Sequence, residues 1–198
     1  MDINQAKSVL GERFSLIADD AMKILAYLQV PPDAAILDVG TGMGYFAILL
    51  ALNGYRVWTG EPAADTSIYA KQDWLRNAQQ VGVDHAIRFE AFDAGNMLFD
   101  DARFDAIFLC GVLHHIDEQS RIDVMNECFR TVKVGGIVCF LEPSQNGMRI
   151  IKEHTPSHPD AADPDMYVRG YVQKQAVSTE RIDGTFFNMF IFRKTASL

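Results

Sequence analysis

The run Ile36-Leu37-Asp38-Val39-Gly40-Thr41-Gly42-Met43-Gly44 sets three glycines at alternate positions directly after a short apolar stretch. A glycine-rich turn from a buried strand into a helix lets a ligand approach the backbone, because no side chain stands in the way. Turns that bind dinucleotides usually space their glycines G-x-G-x-x-G and aim a helix N-terminus at a pyrophosphate. Here the spacing is G-x-G-x-G, and Asp38 precedes it. A carboxylate at that point repels a pyrophosphate and favours the ammonium group of an amino acid. A tight turn with no ligand is the simpler reading, but three glycines carry an entropic cost that a bare turn does not require.

Downstream residues fall in register with this loop. Glu61 follows Trp58-Thr59-Gly60 at the end of a second apolar run, where an acid in this architecture accepts ribose hydroxyls. Taken alone, Glu61 reads as a solvated loop carboxylate; its register with the glycines favours the binding role. Asp93, in Phe92-Asp93-Ala94, can take the exocyclic amine of adenine while Phe92 or Ala94 packs on the ring, the alternative being an Asp that starts a turn.

His114 and His115 follow the fourth apolar run. A neutral imidazole can take a proton from a hydroxyl or amine near pH 7. The competing reading has one His packing against the ligand or capping the next helix. Glu142, after the fifth run, is a further candidate. His154 and His158 stand four apart, as in helical metal pairs, but Pro156 and Pro159 argue against a helix that would aim both one way. No metal is expected.

The elements that must position these groups are read from periodicity. Leu10, Phe14, Ile17, Ala21, Ile24, Leu25 and Leu28 recur at spacings of three and four, predicting one helix over 8–29 that Pro31-Pro32 ends. Strands are expected at 36–39, 56–59, 86–91, 104–110 and 137–141. Helices are expected from Tyr45 to Leu52, over 64–81 with Ile68, Leu75, Ala78 and Val81 inward, and over 118–133 with Ile122, Met125, Phe129 and Val132 inward. Such alternation implies right-handed crossovers and a mostly parallel sheet covered on both faces. After residue 142 the pattern changes. Thr155 to Asp165 reads as a loop, and Tyr171–Ile182 and Thr185–Arg193 read as an antiparallel pair about Asp183-Gly184, closing one sheet edge.

Composition bounds the partners. A chain of 198 residues, 48% hydrophobic and 22% charged, suits one globular domain over 1–198, with helix 8–29, a cofactor-binding core over 34–142 and a closing hairpin over 168–194. The net charge of −8, with 18 basic residues scattered among 26 acidic ones, disfavours nucleic acid and anionic membranes as partners. The N-terminus lacks a secretory pattern and no apolar run approaches a membrane span, so a cytoplasmic protein is expected. Cys110, Cys128 and Cys139 lie in apolar runs and read as reduced, buried thiols. Trp74 reads as half-buried in its helix, and Trp58 as core more than pocket edge.

Together, the glycine loop, Glu61, Phe92-Asp93-Ala94, Phe104-Asp105-Ala106-Ile107-Phe108 leading into Leu113-His114-His115-Ile116, and Arg130-Thr131-Val132-Lys133-Val134-Gly135-Gly136 resemble the class I S-adenosylmethionine-dependent methyltransferases. The resemblance is closest to the small-molecule branch with ubiquinone/menaquinone-type enzymes. It implies a Rossmann-like, doubly wound, seven-stranded sheet with one reversed strand, and S-adenosylmethionine as cofactor. It implies that Asp38, Gly40, Thr41, Gly42 and Gly44 hold the methionine end, Glu61 the ribose and Asp93 the adenine, with Cys110 and Gly111 beside the sulfonium. Enzymes acting on base or glutamine nitrogens usually carry Asn/Asp-Pro-Pro-aromatic after the fourth strand, and metal-dependent catechol-type enzymes a carboxylate; this chain has Cys110-Gly111-Val112-Leu113.

The reaction implied is methyl transfer to a small organic acceptor by direct displacement, a step that rests on in-line positioning and needs no dedicated base. Two rivals are a cofactor-binding regulatory or scaffolding protein without catalysis, suggested by the short 155–165 segment, and a nicotinamide oxidoreductase, against which the glycine spacing counts. Arg13, Phe14 and the Glu142–Tyr171 segment are expected to shape the acceptor pocket. A homodimer or partner subunit could complete it.

Overall fold

A computed structural model describes residues 1–67, 69–70, 73–174 and 176–196. The chain forms α1 (Ile3–Leu10), α2 (Glu12–Leu28), β1 (Ile36–Val39), α3 (Tyr45–Leu52), β2 (Val57–Gly60), α4 (Trp74–Gln80), β3 (Ile87–Phe89), β4 (Phe104–Cys110), α5 (Arg121–Thr131), β5 (Val132–Pro143), α6 (Gln145–His154), α7 (Asp165–Gln173), β6 (Val177–Asp183) and β7 (Phe187–Lys194).

One seven-stranded sheet runs in the order β3-β2-β1-β4-β5-β7-β6. The contacts among β1 to β5 are parallel, and β7 is antiparallel to both β5 and β6. The expected Rossmann-like α/β fold with its antiparallel C-terminal strands is therefore present. Strand order reverses between β1 and β4, so their C-terminal ends flank the crevice where open α/β sheets bind ligands.

Both sheet faces are covered, which is why the central strands are continuously apolar. In β4, Ala106 and Phe108 face α2 and α3, while Ile107 and Leu109 face α5. Phe14, Ala18, Ala21, Ile24 and Leu25 form the buried stripe of α2. Against the opposite face, α5 buries Val124, Met125, Cys128 and Phe129.

Several boundaries differ from the periodicity. The expected helix over 8–29 is two: Gly11, at φ 84°, ends α1 and precedes α2. A spacing of three and four runs through such a break unchanged, so it cannot reveal it. The helix expected over 64–81 is confined to Trp74–Gln80, N-capped by Asp73, with Leu75 exposed; Ile68 lies outside the described residues. Ile122 is exposed on α5 and Val132 already belongs to β5. The expected strand from Tyr171 starts at Val177, because Tyr171 lies within α7, which runs to Gln173. No helix among the described residues is long and apolar enough to cross a membrane.

A buried α2 side chain ties the edge hairpin to that helix, and Tyr27 adds a surface hydrogen bond to Glu180 of β6. Asp20 is fully buried and accepts hydrogen bonds from the backbone N–H groups of Thr185 (3.2 Å), Phe186 (2.6 Å) and Phe187 (2.9 Å) in the β6–β7 turn. Burial raises its pKa, but these donors and Lys23 outweigh it, and the carboxyl sits below its ordinary range. Three converging N–H groups stabilise the charged form more than desolvation disfavours it.

Candidate functional site

The glycine loop leaves β1 at the switch point and closes on three neighbours. A side chain at Gly40, where φ is 85°, would sit 2.5 Å from Val112 in the segment after β4. At Gly44, where φ is 75°, it would sit 2.8 Å from Trp74. These two glycines let the chain pack against itself. Gly42 differs: among the described residues the nearest atom to a side chain there is the Tyr69 carbonyl at 3.6 Å, an ordinary contact distance, so a missing side chain there leaves room.

Asp38 lies beneath this loop, 1% exposed. Its Oδ2 accepts from the Thr59 hydroxyl at 2.9 Å, and Thr59 in turn contacts the Thr41 hydroxyl at 2.9 Å. The other oxygen, Oδ1, is one of two buried side-chain polar atoms without a partner among the described residues, the second being Trp58 Nε1. Burial pushes the Asp38 carboxyl up to about 7, and the single hydroxyl donor only partly opposes it. A buried oxygen with no donor costs free energy unless something supplies one. Thr59 was not singled out from sequence; its signal was a hydroxyl paired in register with Asp38 across β1 and β2.

Glu61 is 8% exposed at the end of β2, and its Oε2 accepts from the Gly42 N–H at 3.0 Å. It is therefore part of the loop, and the reading as a solvated carboxylate does not hold. Phe92 is buried against Phe99, with ring centroids 5.2 Å apart, and its ring edge would lie 2.4 Å from a side chain at Gly60. Asp93 is exposed and accepts from the Gly95 N–H at 2.8 Å, starting a turn, and Ala94 is half-buried beside it. Trp58 packs edge-on against Phe104, and Trp74 stacks on Phe89.

Across the crevice, Cys110 ends β4 and Gly111 follows at φ 67°. Burial holds the Cys110 thiol well above its ordinary range, and nearby Asp38, Glu142 and Cys139 add to this, so it is no thiolate. Cys128 and Cys139 are free, buried, and shifted upward by desolvation. Phe14 packs on Tyr45 at the start of α3, with Arg13 exposed beside it.

Leu113–His115 form one helical turn after β4. His114 is 4% exposed, and its Nδ1 lies 2.7 Å from Glu142 Oε2. Glu142 also accepts from the Leu113 N–H (3.1 Å) and the Ala162 N–H (3.0 Å). The two candidates thus form one dyad, brought together because β5 pairs with β4 and ends beside this turn.

His158 reaches the same place. Its pairing with His154 does not form: His154 ends α6 and contacts the Ile150 carbonyl of its own helix. The ring of His158 instead lies 5.1 Å from that of His114 and 4.9 Å from that of His115. Tyr69, which sequence reasoning did not single out, packs its ring 4.1 Å from His115. Desolvation, then repulsion by His114 and His158, lowers His115 to about 3. Burial likewise lowers His158. His115 and His158 are thus held as neutral imidazoles that can offer lone pairs.

A doubly wound α/β sheet with a glycine loop at its switch point, a buried acid beneath that loop and a second acid at the end of β2 defines a domain built to hold a nucleoside-bearing cofactor. Residues 37–140 match the methyltransferase domain family, and the chain belongs to that family. It is similar to the release factor glutamine methyltransferase of Chlorobaculum tepidum, 42% identical over 91 residues, which are 44% of this chain and 30% of that protein. It is also similar to 27-O-demethylrifamycin SV methyltransferase of Amycolatopsis mediterranei, 29% identical over 117 residues, which are 57% of this chain and 41% of that protein. The chain thus spans less than half the length of either. Among solved structures, a Methanococcus maripaludis protein provisionally assigned as an S-adenosyl-L-methionine-dependent methyltransferase superposes with a TM-score of 0.70 at 17% identity, over 92% of this chain and 86% of that one.

Proposed function

We propose that this protein transfers a methyl group from S-adenosylmethionine to a small organic acceptor. The observation that carries the reading is Asp38, a buried carboxylate just before the glycine loop with one oxygen unpartnered among the described residues. An amino-acid ammonium would supply the missing donor and restore the charged form, whereas a pyrophosphate would be repelled. The fit favours an amino-acid-bearing cofactor over a dinucleotide.

In this reading Gly40, Thr41, Gly42 and Gly44 shape the backbone around the methionine end, and Glu61, fixed by the Gly42 N–H, accepts the ribose hydroxyls. Asp93 takes the adenine amine, with Phe92 and Ala94 forming the wall beside it. Cys110 and Gly111 face the reacting centre, where an un-ionised thiol and an absent side chain leave a dry, narrow floor. The cofactor supplies a methyl group on a positively charged sulfur, which keeps the bonding electron pair as the acceptor bonds to the methyl carbon. The chain's part is to align the two and exclude water. Where the acceptor carries a proton, it passes to water, because His115, lowered to about 3, is too weak a base to hold it.

Cys110-Gly111-Val112-Leu113, in place of a prolyl-prolyl-aromatic loop, supports the small-molecule, ubiquinone/menaquinone-type branch over amide-nitrogen methylation. The likeness to an enzyme named for a rifamycin acceptor supports the same choice. Incubation with methyl-tritiated S-adenosylmethionine and a fractionated extract tests it. Label is expected in the small-molecule fraction; label confined to protein or nucleic acid would refute the acceptor class.

A further inference from the structure

The structure assigns to His114, His115 and His158 a site for one divalent transition-metal ion of the zinc class, with an open position facing the methyl acceptor.

Geometry makes the first case. One ring nitrogen from each histidine lies within 4.8 Å of those of the other two. Tetrahedral coordination with zinc–nitrogen bonds of about 2.0–2.1 Å needs ligand nitrogens about 3.3 Å apart. Binding an ion would draw the three nitrogens closer than they now stand. The residues come from two separated segments, the turn after β4 and the loop after α6, and that loop is anchored by the Ala162 N–H on Glu142.

The hydrogen bonds behind the rings make the second case. Glu142 accepts from two backbone N–H groups as well as facing His114 Nδ1, so it acts as an acceptor and the ring nitrogen is the donor. His158 Nδ1 lies 2.9 Å from the Pro159 carbonyl, which can only accept. In both residues Nδ1 is engaged as a donor, which leaves Nε2 as the nitrogen that would face an ion. Metal-binding histidines are oriented in this way, with the far nitrogen donating to a carboxylate or backbone carbonyl. Nothing about a proton-shuttling dyad alone would require the same arrangement in His158.

Ligand chemistry narrows the ion. Three imidazoles suit zinc, copper, nickel or iron, whereas magnesium and calcium prefer oxygen. Three protein ligands leave a fourth position open, as at catalytic sites. The cluster borders the cofactor loop: a side chain at Gly111 would lie 3.9 Å from His114 Cε1, and Tyr69 spans from the Gly42 approach to the His115 ring. Resting on the methyltransferase reading, the ion would select an acceptor whose oxygen, nitrogen or sulfur can ligate a metal. That atom would release its proton to solvent on binding and then bond to the methyl carbon, the sulfonium sulfur keeping the electrons of the broken bond.

Tag-free, chelator-stripped protein titrated with Co(II) and then Zn(II) tests the site without any methyl transfer. We expect one Co(II) per chain with the visible bands of tetrahedral coordination, displaced by one Zn(II). His158→Ala, in a loop, should weaken Zn(II) binding about 100-fold or more, and Glu142→Gln, which changes how His114 is held, about 10–100-fold. S-adenosylhomocysteine affinity of His158→Ala should stay within about threefold of the parent, on the same scale. Absence of stoichiometric Co(II) binding, or equal binding by His158→Ala, would overturn the site. If Glu142→Gln does not fold, His158→Ala alone decides. Loss of S-adenosylhomocysteine binding by the parent protein would instead count against the cofactor reading and leave the metal result standing.

Discussion

Asp20 of α2 and Asp38 of β1 are both buried carboxylates, and the protein treats them in opposite ways. Asp20 receives three backbone N–H groups from the β6–β7 turn, and its pKa is lowered. Asp38 receives one hydroxyl, leaves Oδ1 without a partner among the described residues, and rises to about 7. A satisfied buried charge holds the fold together; an unsatisfied one stores a cost that a ligand can relieve. On the proposed reading, Asp20 is the structural acid and Asp38 the one that meets the cofactor.

Removing Asp20 should have the largest effect on stability. Asp20→Ala leaves three N–H groups buried and unpaired and is expected to cost about 4 kcal/mol, while Asp20→Asn, which keeps one oxygen, costs about half. Urea denaturation measures this, and S-adenosylhomocysteine affinity of the folded fraction should not change. Asp38→Asn should do the reverse, lowering S-adenosylhomocysteine affinity about 100-fold, or about 2.7 kcal/mol, with a melting temperature equal to or above the parent's. A variant of Asp38 that melted early yet bound normally would exchange the two roles.

The glycines sharpen the same division at a smaller scale. Gly44→Ala meets Trp74 at 2.8 Å at a left-handed φ and should cost about 1–2 kcal/mol of stability. Gly42→Ala carries a similar backbone strain of about 1 kcal/mol but fills the open approach, so calorimetry should find affinity reduced about tenfold beyond any change in stability.

The two acids also predict opposite pH trends. The folded pKa of Asp38 lies above its ordinary 3.8, so the unfolded chain ionises first and this residue's contribution to stability falls as pH rises from about 4 to about 7. Asp20 is depressed, so its contribution is present above the ordinary carboxylate range and is lost as pH falls through its folded pKa. If Asp38 binds an ammonium group as the carboxylate, affinity should fall about tenfold per pH unit below about 7, and Asp38→Asn should flatten that profile.

Much of this division was legible in the residues. The first and fourth strands were read at their observed limits because each is a continuous apolar run bounded by turn residues. Asp38 stood out because a carboxylate directly before the glycines disfavours a pyrophosphate, and Glu61 because of its register with that loop. The helices α6 and α7 were not read, since Pro, His and Asp dominate the residues around them and their buried faces are narrow. The N-terminal part of β5 was hidden by Gly135-Gly136, which continue the strand where composition reads a turn. The histidine cluster was legible only in part. His114 and His115 are neighbours in sequence, but His158 joins them through the loop after α6, a tertiary contact to which its spacing from His154 gave a false lead.

Isothermal calorimetry with S-adenosylhomocysteine at pH 8, on the parent and on Asp38→Asn, tests the central claim most directly. The account predicts one site per chain in the parent, of micromolar affinity or tighter, and about 100-fold weaker binding in the variant. No heat in the parent at millimolar ligand, or equal affinity in the two proteins, would contradict it.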